Sequence, residues 1–126
     1  MANELILVVE DNDKSRKLVR DVLTFKGYEI IEAETGEEGV GLAQEGRPSL
    51  ILMDIRLPGI DGIQALRRLR AEVATREIPV MAMTASVMSG DRQRVLDAGF
   101  DAFQSKPIKT KDFVAAVEQL LERHRK

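Results

Sequence analysis

Cysteine and tryptophan do not occur among the 126 residues, and histidine and tyrosine occur once each. Without cysteine there is no disulfide, no zinc-thiolate centre and no thiol nucleophile. The one histidine, His124, stands in the run Arg123-His124-Arg125-Lys126, so histidine-based catalysis is not expected. That run reads as the solvated end of a helix, where positive charge is favoured by the helix dipole. Only four prolines are present, and no Pro/Ser-rich tract or like-charge block forms a linker, so residues 1–126 are expected to be one domain. The first residues are not an apolar segment, which predicts neither a leader nor a membrane span, and hence a cytoplasmic protein. A net charge of -2 argues against a nucleic-acid surface. Phosphate-cradling glycine motifs are missing too. Gly36 to Gly41 reads G-E-E-G-V-G, which has the wrong order for a dinucleotide fingerprint and lies within a predicted helix, and G-x-x-x-x-G-K-[ST] does not occur.

What is present is a chain 44% hydrophobic and 32% charged, enough for one core, with its apolar residues in short runs. Leu5 to Val9 reads as a strand covered on both faces, followed by Glu10-Asp11. Asn12 or Asp13 caps a helix to about Lys26 with Leu18, Val22 and Phe25 on one face and Gly27 as the stop. Tyr28 to Ala33 alternates more and reads as an edge strand. Thr35 and Glu38 have capping-box spacing for a second helix, closed by Gly46 and Pro48. Ser49 to Asp54 is a buried strand running into a Pro58-Gly59 turn. Asp61 and Gln64 repeat the cap pattern for a third helix, with Ile63, Leu66 and Leu69 inward and Arg67, Arg68 and Arg70 on a solvated face. Ile78 to Met83 is a fourth strand that tolerates Pro79 only at its start. A helix from about Ser89 to Ala98, anchored by Val95 and Leu96, is the least apolar and is expected to be the most mobile. Gly99 ends it. Asp101 to Ser105 is a fifth strand, and Thr110 caps a last helix with Phe113, Val117, Leu120 and Leu121 inward.

Five strands alternating with five helices imply a doubly wound α/β fold, a five-stranded parallel sheet with helices on both faces and the order 2-1-3-4-5. Ligands of such sheets bind at the carboxyl ends of the strands, where the order reverses. That rim gathers Glu10, Asp11 and Asp54, with Thr84 and Lys106 at the flanking strand ends. An aspartate after a strand is commonly only a turn residue, but three other strands here also end in chemically useful groups. Three carboxylates about 5 Å apart repel by about 3 kcal/mol per pair at an effective dielectric of 20, which one lysine does not offset. A divalent cation does. Oxygen ligands alone favour Mg2+, with Mn2+ able to substitute, leaving one carboxylate free to attack phosphorus.

These residues resemble the response-regulator receiver domains of two-component signalling. The likeness covers essentially the whole chain and extends to stand-alone, chemotaxis-type and hybrid-kinase receivers. It is carried by Glu10-Asp11, Met53-Asp54 with Pro58-Gly59 and Asp61-Gly62, Thr84-Ala85, and Lys106-Pro107, each weak alone and specific in this order. The resemblance implies a flavodoxin-like fold in which Asp54 accepts a phosphoryl group from a histidine kinase or phosphotransfer protein. It implies that Asp11, Asp54 and the backbone carbonyl of Arg56 bind Mg2+, with Glu10 acting through water. Thr84, Ala85 and Lys106 would hold the phosphoryl group, the Lys106-Pro107 bond would be cis, and Arg56 and Ser86 would tune phosphoryl lifetime. Output would pass through Phe103 and the face of the fourth helix, fifth strand and fifth helix to a protein partner, the chain being a monomer or a weak phosphorylation-dependent dimer. It would be a signalling domain rather than an enzyme, capable at most of self-phosphorylation from small donors and self-dephosphorylation. Phe103 stands where many relatives carry tyrosine, and Glu10 where many carry aspartate.

Two other readings share the chemistry. An aspartate-nucleophile phosphatase of the haloacid-dehalogenase type wants a second acid two residues after the nucleophile, and that position is Arg56. A degenerate receiver serving only as a binding module would lack an acid, the threonine or the lysine, and none is missing.

Overall fold

The computed structural model describes residues 4–84, 89–105 and 108–124, with the backbone alone for 89–92 and 124. Along the chain run β1 (Leu5–Val9), α1 (Asp13–Phe25), β2 (Glu29–Ala33), α2 (Gly36–Gly46), β3 (Leu50–Asp54), α3 (Gly62–Ala71), β4 (Val80–Thr84), α4 (Ser89–Asp97), β5 (Ala102–Ser105) and α5 (Thr110–His124). The strands form one parallel sheet in the order β2-β1-β3-β4-β5, as the alternation predicts. Strand alternation sends Ile6, Val8, Leu50, Leu52, Met81 and Met83 to one face, where Val19 and Leu23 of α1 and Phe113, Val117, Leu120 and Leu121 of α5 cover them. The other face carries Leu7, Val9, Ile51, Met53, Val80 and Ala82 under α2, α3 and α4. Because both faces are covered, β1, β3 and β4 are continuous apolar runs.

The helix termini follow the caps. Asn12 accepts from the Ser15 N–H at 2.9 Å, and Asp61 and Gln64 form a reciprocal capping box. Thr35 accepts from the Glu38 N–H at 3.1 Å, while Glu38 reaches back to the Glu34 N–H rather than to that of Thr35. At the end of α1, Gly27 takes φ +97°, which lets the Tyr28 N–H close onto Leu23 O at 3.2 Å.

Four expectations are corrected. In α1 the inward residues are Val19 and Leu23; Leu18 is exposed, Phe25 is 87% exposed, and Val22 is only partly buried. The helix is turned about one residue from the stripe chosen, because Arg16 and Arg20 are drawn toward Glu32 on β2. Leu96 is exposed and Val95 alone anchors the end of α4. The left-handed residue closing α2 is Arg47 (φ 46°), not Gly46, since Gly46 is the last helical residue and Pro48 disfavours a helical Arg47. Thr110 is the first residue of α5 rather than a cap outside it, with the Phe113 N–H bonded to Lys109 O at 2.8 Å.

Arg70 also departs from the solvated-face reading. Its Nη2 pairs with Asp101 Oδ2 at 2.8 Å, and its Nη1 donates to Ile78 O at 2.7 Å and Arg76 O at 3.0 Å. The same Asp101 oxygen accepts from the Val80 N–H at 2.8 Å, so one ion pair ties the end of α3 to the start of both β4 and β5. Asp101→Ala removes the acceptor of both that N–H and Arg70 Nη2 and is expected to cost about 2 kcal/mol in urea unfolding. Arg70→Ala should cost less, and the double variant clearly less than the sum, because both act in one network. Strict additivity would show the two act separately.

Candidate functional site

Register brings the acidic residues together. Val9 lies level with Met53 and Asp54 with Met83, so Glu10, one step beyond β1, stands beside Asp54 at the carboxyl edge of the two central strands. Strand alternation continues past the core: Glu10 follows Ile6 and Val8, and Asp54 follows Leu50 and Leu52, onto the same side of the sheet. Glu10 is 1% exposed and Asp54 6%, whereas Asp11 is exposed. One carboxylate oxygen from each of Glu10, Asp11 and Asp54 lies within 4.8 Å of the others.

Each buried carboxylate is held by backbone. Glu10 Oε2 accepts from the Asn12 N–H at 3.1 Å, its own N–H donates to Ala33 O at 3.0 Å, and its carbonyl accepts from Arg16 Nη1 at 2.9 Å. Asp54 Oδ1 accepts from the Arg56 N–H at 3.1 Å, and the next N–H in the chain, that of Ile55, continues the ladder to Met83 O at 3.0 Å. A carboxylate has room for several hydrogen bonds or ligands, so these contacts orient the two groups at the edge of the cleft without exhausting what a carboxylate can accept. Asn12, Asp13, Lys14 and Ser15 line the rest of that open cleft.

The donor set fits a hard divalent cation. All three donors are oxygens, they gather within 4.8 Å of one another, and oxygen-only donor sets are those of Mg2+ and Mn2+ rather than of softer metals. No other group of three or more acidic or histidine ligands occurs among the described residues.

Thr84, at the end of β4, is buried and level with Ser105. Phe103 is half-buried, level with Ala82, and packs against the core on the α2, α3 and α4 side, the face to which alternation also assigns Thr84. Arg56 has an exposed side chain two residues beyond Asp54. Ala85, Ser86, Lys106 and Pro107 lie outside the described residues, as does the beginning of the segment leading into α4.

Three contributors were not assigned a role from the sequence. Gly62 packs so closely that a Cβ there would meet Asp54 O at 2.5 Å and Ile55 Cα at 2.9 Å. A glycine at the first position of a helix, where alanine is the better helix former, was the available signal for such an approach. Glu37, in the first turn of α2, accepts from the Ile60 N–H at 3.3 Å and steadies the β3–α3 loop, a contact with no local signature. Arg16 is the third. Burial opposes its charge, but the hydrogen bonds it donates to Asp13 and Glu32, with the negative charges of Asp13 and Glu34, outweigh that and raise its pKa above the ordinary value.

The model of the response regulator receiver domain family matches residues 6–118. The chain belongs to that family. The polar-differentiation response regulator DivK of Brucella anthropi is 41% identical over 116 residues, 92% of this chain and 94% of the relative. Among solved structures, the receiver domain of a sensor histidine kinase from Pseudomonas aeruginosa superposes with a TM-score of 0.89 at 34% identity, covering 96% of this chain and 99% of that one. That crystal structure has a magnesium ion coordinated in its active site cleft. The signal receiver domain of a histidine kinase from Syntrophus aciditrophicus gives a TM-score of 0.89 at 31% identity, covering 98% and 93%. The receiver is a signalling domain of two-component systems rather than an enzyme in the ordinary sense. Among the described residues no helix is long and apolar enough to cross a membrane.

Proposed function

We propose that this receiver takes a phosphoryl group onto Asp54 from a histidine kinase or phosphotransfer protein and uses it to switch a protein-binding surface. The observation that carries the reading is the meeting of the Glu10, Asp11 and Asp54 oxygens at the edge of the two central strands. An Asp54 oxygen attacks phosphorus, the phosphorus–nitrogen bond of the donor histidine breaks, and the electron pair leaves with the imidazole. Asp11, Asp54 and the Arg56 carbonyl would hold Mg2+, or Mn2+ in its place, with Glu10 acting through water. The cation supplies charge neutralisation on the carboxylate and phosphoryl oxygens. The Arg56 N–H on Asp54 Oδ1, 3.1 Å away, fixes the orientation of the attacking carboxylate. Lys106 and Ala85 would complete the phosphoryl-binding set, while Arg56 and Ser86 would tune phosphoryl lifetime.

The Thr84 hydroxyl then turns toward the new phosphoryl oxygens and vacates space on its side of β4. Phe103 fills that space without needing a hydrogen bond, which alters the surface of α4, β5 and the start of α5. Coupling of this kind is worth about 1 to 3 kcal/mol. The test is incubation with acetyl phosphate, with and without Mg2+, followed by intact mass. The receiver reading predicts one phosphoryl group per chain, dependent on the cation, and slowed hydrogen exchange around Phe103 and α4 in the labelled sample. Rapid multiple turnover of the donor would mark a phosphatase, and no label at all a binding module.

A further inference from the structure

We propose that Arg16 is the positioning residue of the acidic cluster: it fixes the Glu10–Asp11 peptide and thereby the spacing of the carboxylates that receive a divalent cation. The inference rests on reading that cluster as the cation site. Arg16 sits in the first turn of α1, yet its side chain is only 13% exposed, uncommon for an arginine beside an open cleft. Its Nη1 donates to Glu10 O at 2.9 Å, its Nε to Glu32 Oε1 at 3.0 Å and its Nη2 to Asp13 Oδ1 at 2.7 Å, with Glu34 Oε2 3.9 Å away. Glu32 is itself gripped by Arg20 Nη1 through both oxygens, at 3.1 and 3.0 Å. One guanidinium thus joins the turn after β1, the start of α1 and the edge strand β2.

A guanidinium presents its donors in a fixed planar fork, so three acceptors on three elements leave it one orientation. The oxygen it holds belongs to a rigid peptide plane that also contains the Asp11 N–H and Cα. Holding that plane sets where Asp11, the exposed member of the cluster, presents its carboxylate relative to Glu10 and Asp54. The Asn12 N–H on Glu10 Oε2 at 3.1 Å fixes the other side of the same turn.

Electrostatics and positioning predict opposite signs. Removing a positive charge near a cation site relieves repulsion, so a purely electrostatic Arg16 would bind cation more tightly once neutralised. A positioning Arg16 binds it more weakly. Arg16→Lys keeps the charge but has no fork to reach three acceptors, and so isolates geometry. The measurement is Mn2+ affinity from the loss of the free-ion electron paramagnetic resonance signal, made well below the thermal midpoint of each variant.

Both Arg16→Met and Arg16→Lys are expected to weaken Mn2+ binding by roughly tenfold or more, the usual effect of losing a group that orients a ligand. Affinity equal to or tighter than that of the unaltered protein in both variants would overturn the proposal. A lowered thermal midpoint with unchanged affinity would also overturn it, by showing a structural role alone. Asp11→Asn separates the two levels of the argument. Loss of binding in Asp11→Asn with unchanged binding in the Arg16 variants removes only the role of Arg16, whereas an unaltered protein that does not bind Mn2+ removes the cation site as well.

Discussion

Asp54→Asn is expected to abolish cation-dependent phosphorylation while making the cation-free protein more stable. The amide keeps the shape of the side chain and an oxygen for the Arg56 N–H, now at 3.1 Å from Asp54 Oδ1, so the β3–α3 loop has no reason to move. It has no anionic oxygen to attack phosphorus, and labelling should fall below detection. The stability gain follows from the same geometry. Three carboxylate oxygens within 4.8 Å repel one another, at roughly 1 to 3 kcal/mol per pair between effective dielectrics of 80 and 20. Replacing one carboxylate removes two of those pairs, although the backbone N–H groups on Glu10 and Asp54 already soften them. A rise of about 1 kcal/mol in urea unfolding without Mg2+ is the expected scale. Adding Mg2+ should narrow the difference, because the cation stabilises the folded unaltered protein by binding it. Stoichiometric labelling of the variant would remove Asp54 from its role, and a loss of stability would show that the cluster is not under charge repulsion.

Gly62→Ala is expected to damage the site from behind. The added methyl would lie 2.5 Å from Asp54 O and 2.9 Å from Ile55 Cα, and backbone at both contacts cannot swing aside as a side-chain tip can. Overpacking of this kind costs about 1 to 3 kcal/mol. The chemical consequence is larger, because the crowded atoms are the carbonyl oxygen of the residue that carries the nucleophile and the Cα of the residue after it. A shift of about 1 Å at a reacting group is enough to cost about 100-fold in rate, so phosphorylation by acetyl phosphate should slow by that order even where the variant remains folded. Gly41→Ala, at an open position inside α2, is the matched control: it should leave the labelling rate unchanged and raise stability by about 0.5 to 1 kcal/mol through helix propensity. A Gly62→Ala protein labelled at the ordinary rate would mean that the Gly62 N–H to Ile55 O contact, 2.9 Å, can relax without moving Asp54.

The strands and the site acids were legible because parallel strands buried on both faces are short apolar runs, and each run ends where its polar residue begins. Once the order 2-1-3-4-5 follows from the alternation, the register of Val9 with Met53 puts Glu10 beside Asp54 with no further information. Helix rotation was less legible. Leu18, Val22 and Phe25 make as good a stripe as Val19, Val22 and Leu23, and the choice falls to Arg16 and Arg20 reaching Glu32 across the α1–β2 packing. The same holds for Arg70, which the cluster of Arg67, Arg68 and Arg70 presents as solvent-facing and which Asp101, 31 residues away, draws into the structure. Charged side chains that bridge elements distant in sequence leave no periodic mark. Arg16 is the instance that bears on function.

Reductive trapping of the phosphorylated protein tests the central claim most directly. Borohydride converts an acyl phosphate on aspartate to homoserine, which peptide mass spectrometry locates by residue. After acetyl phosphate treatment with Mg2+, the account predicts homoserine at position 54 alone, and none when the cation is removed by chelation. Homoserine at position 11, or at position 54 in equal yield without the cation, would contradict it.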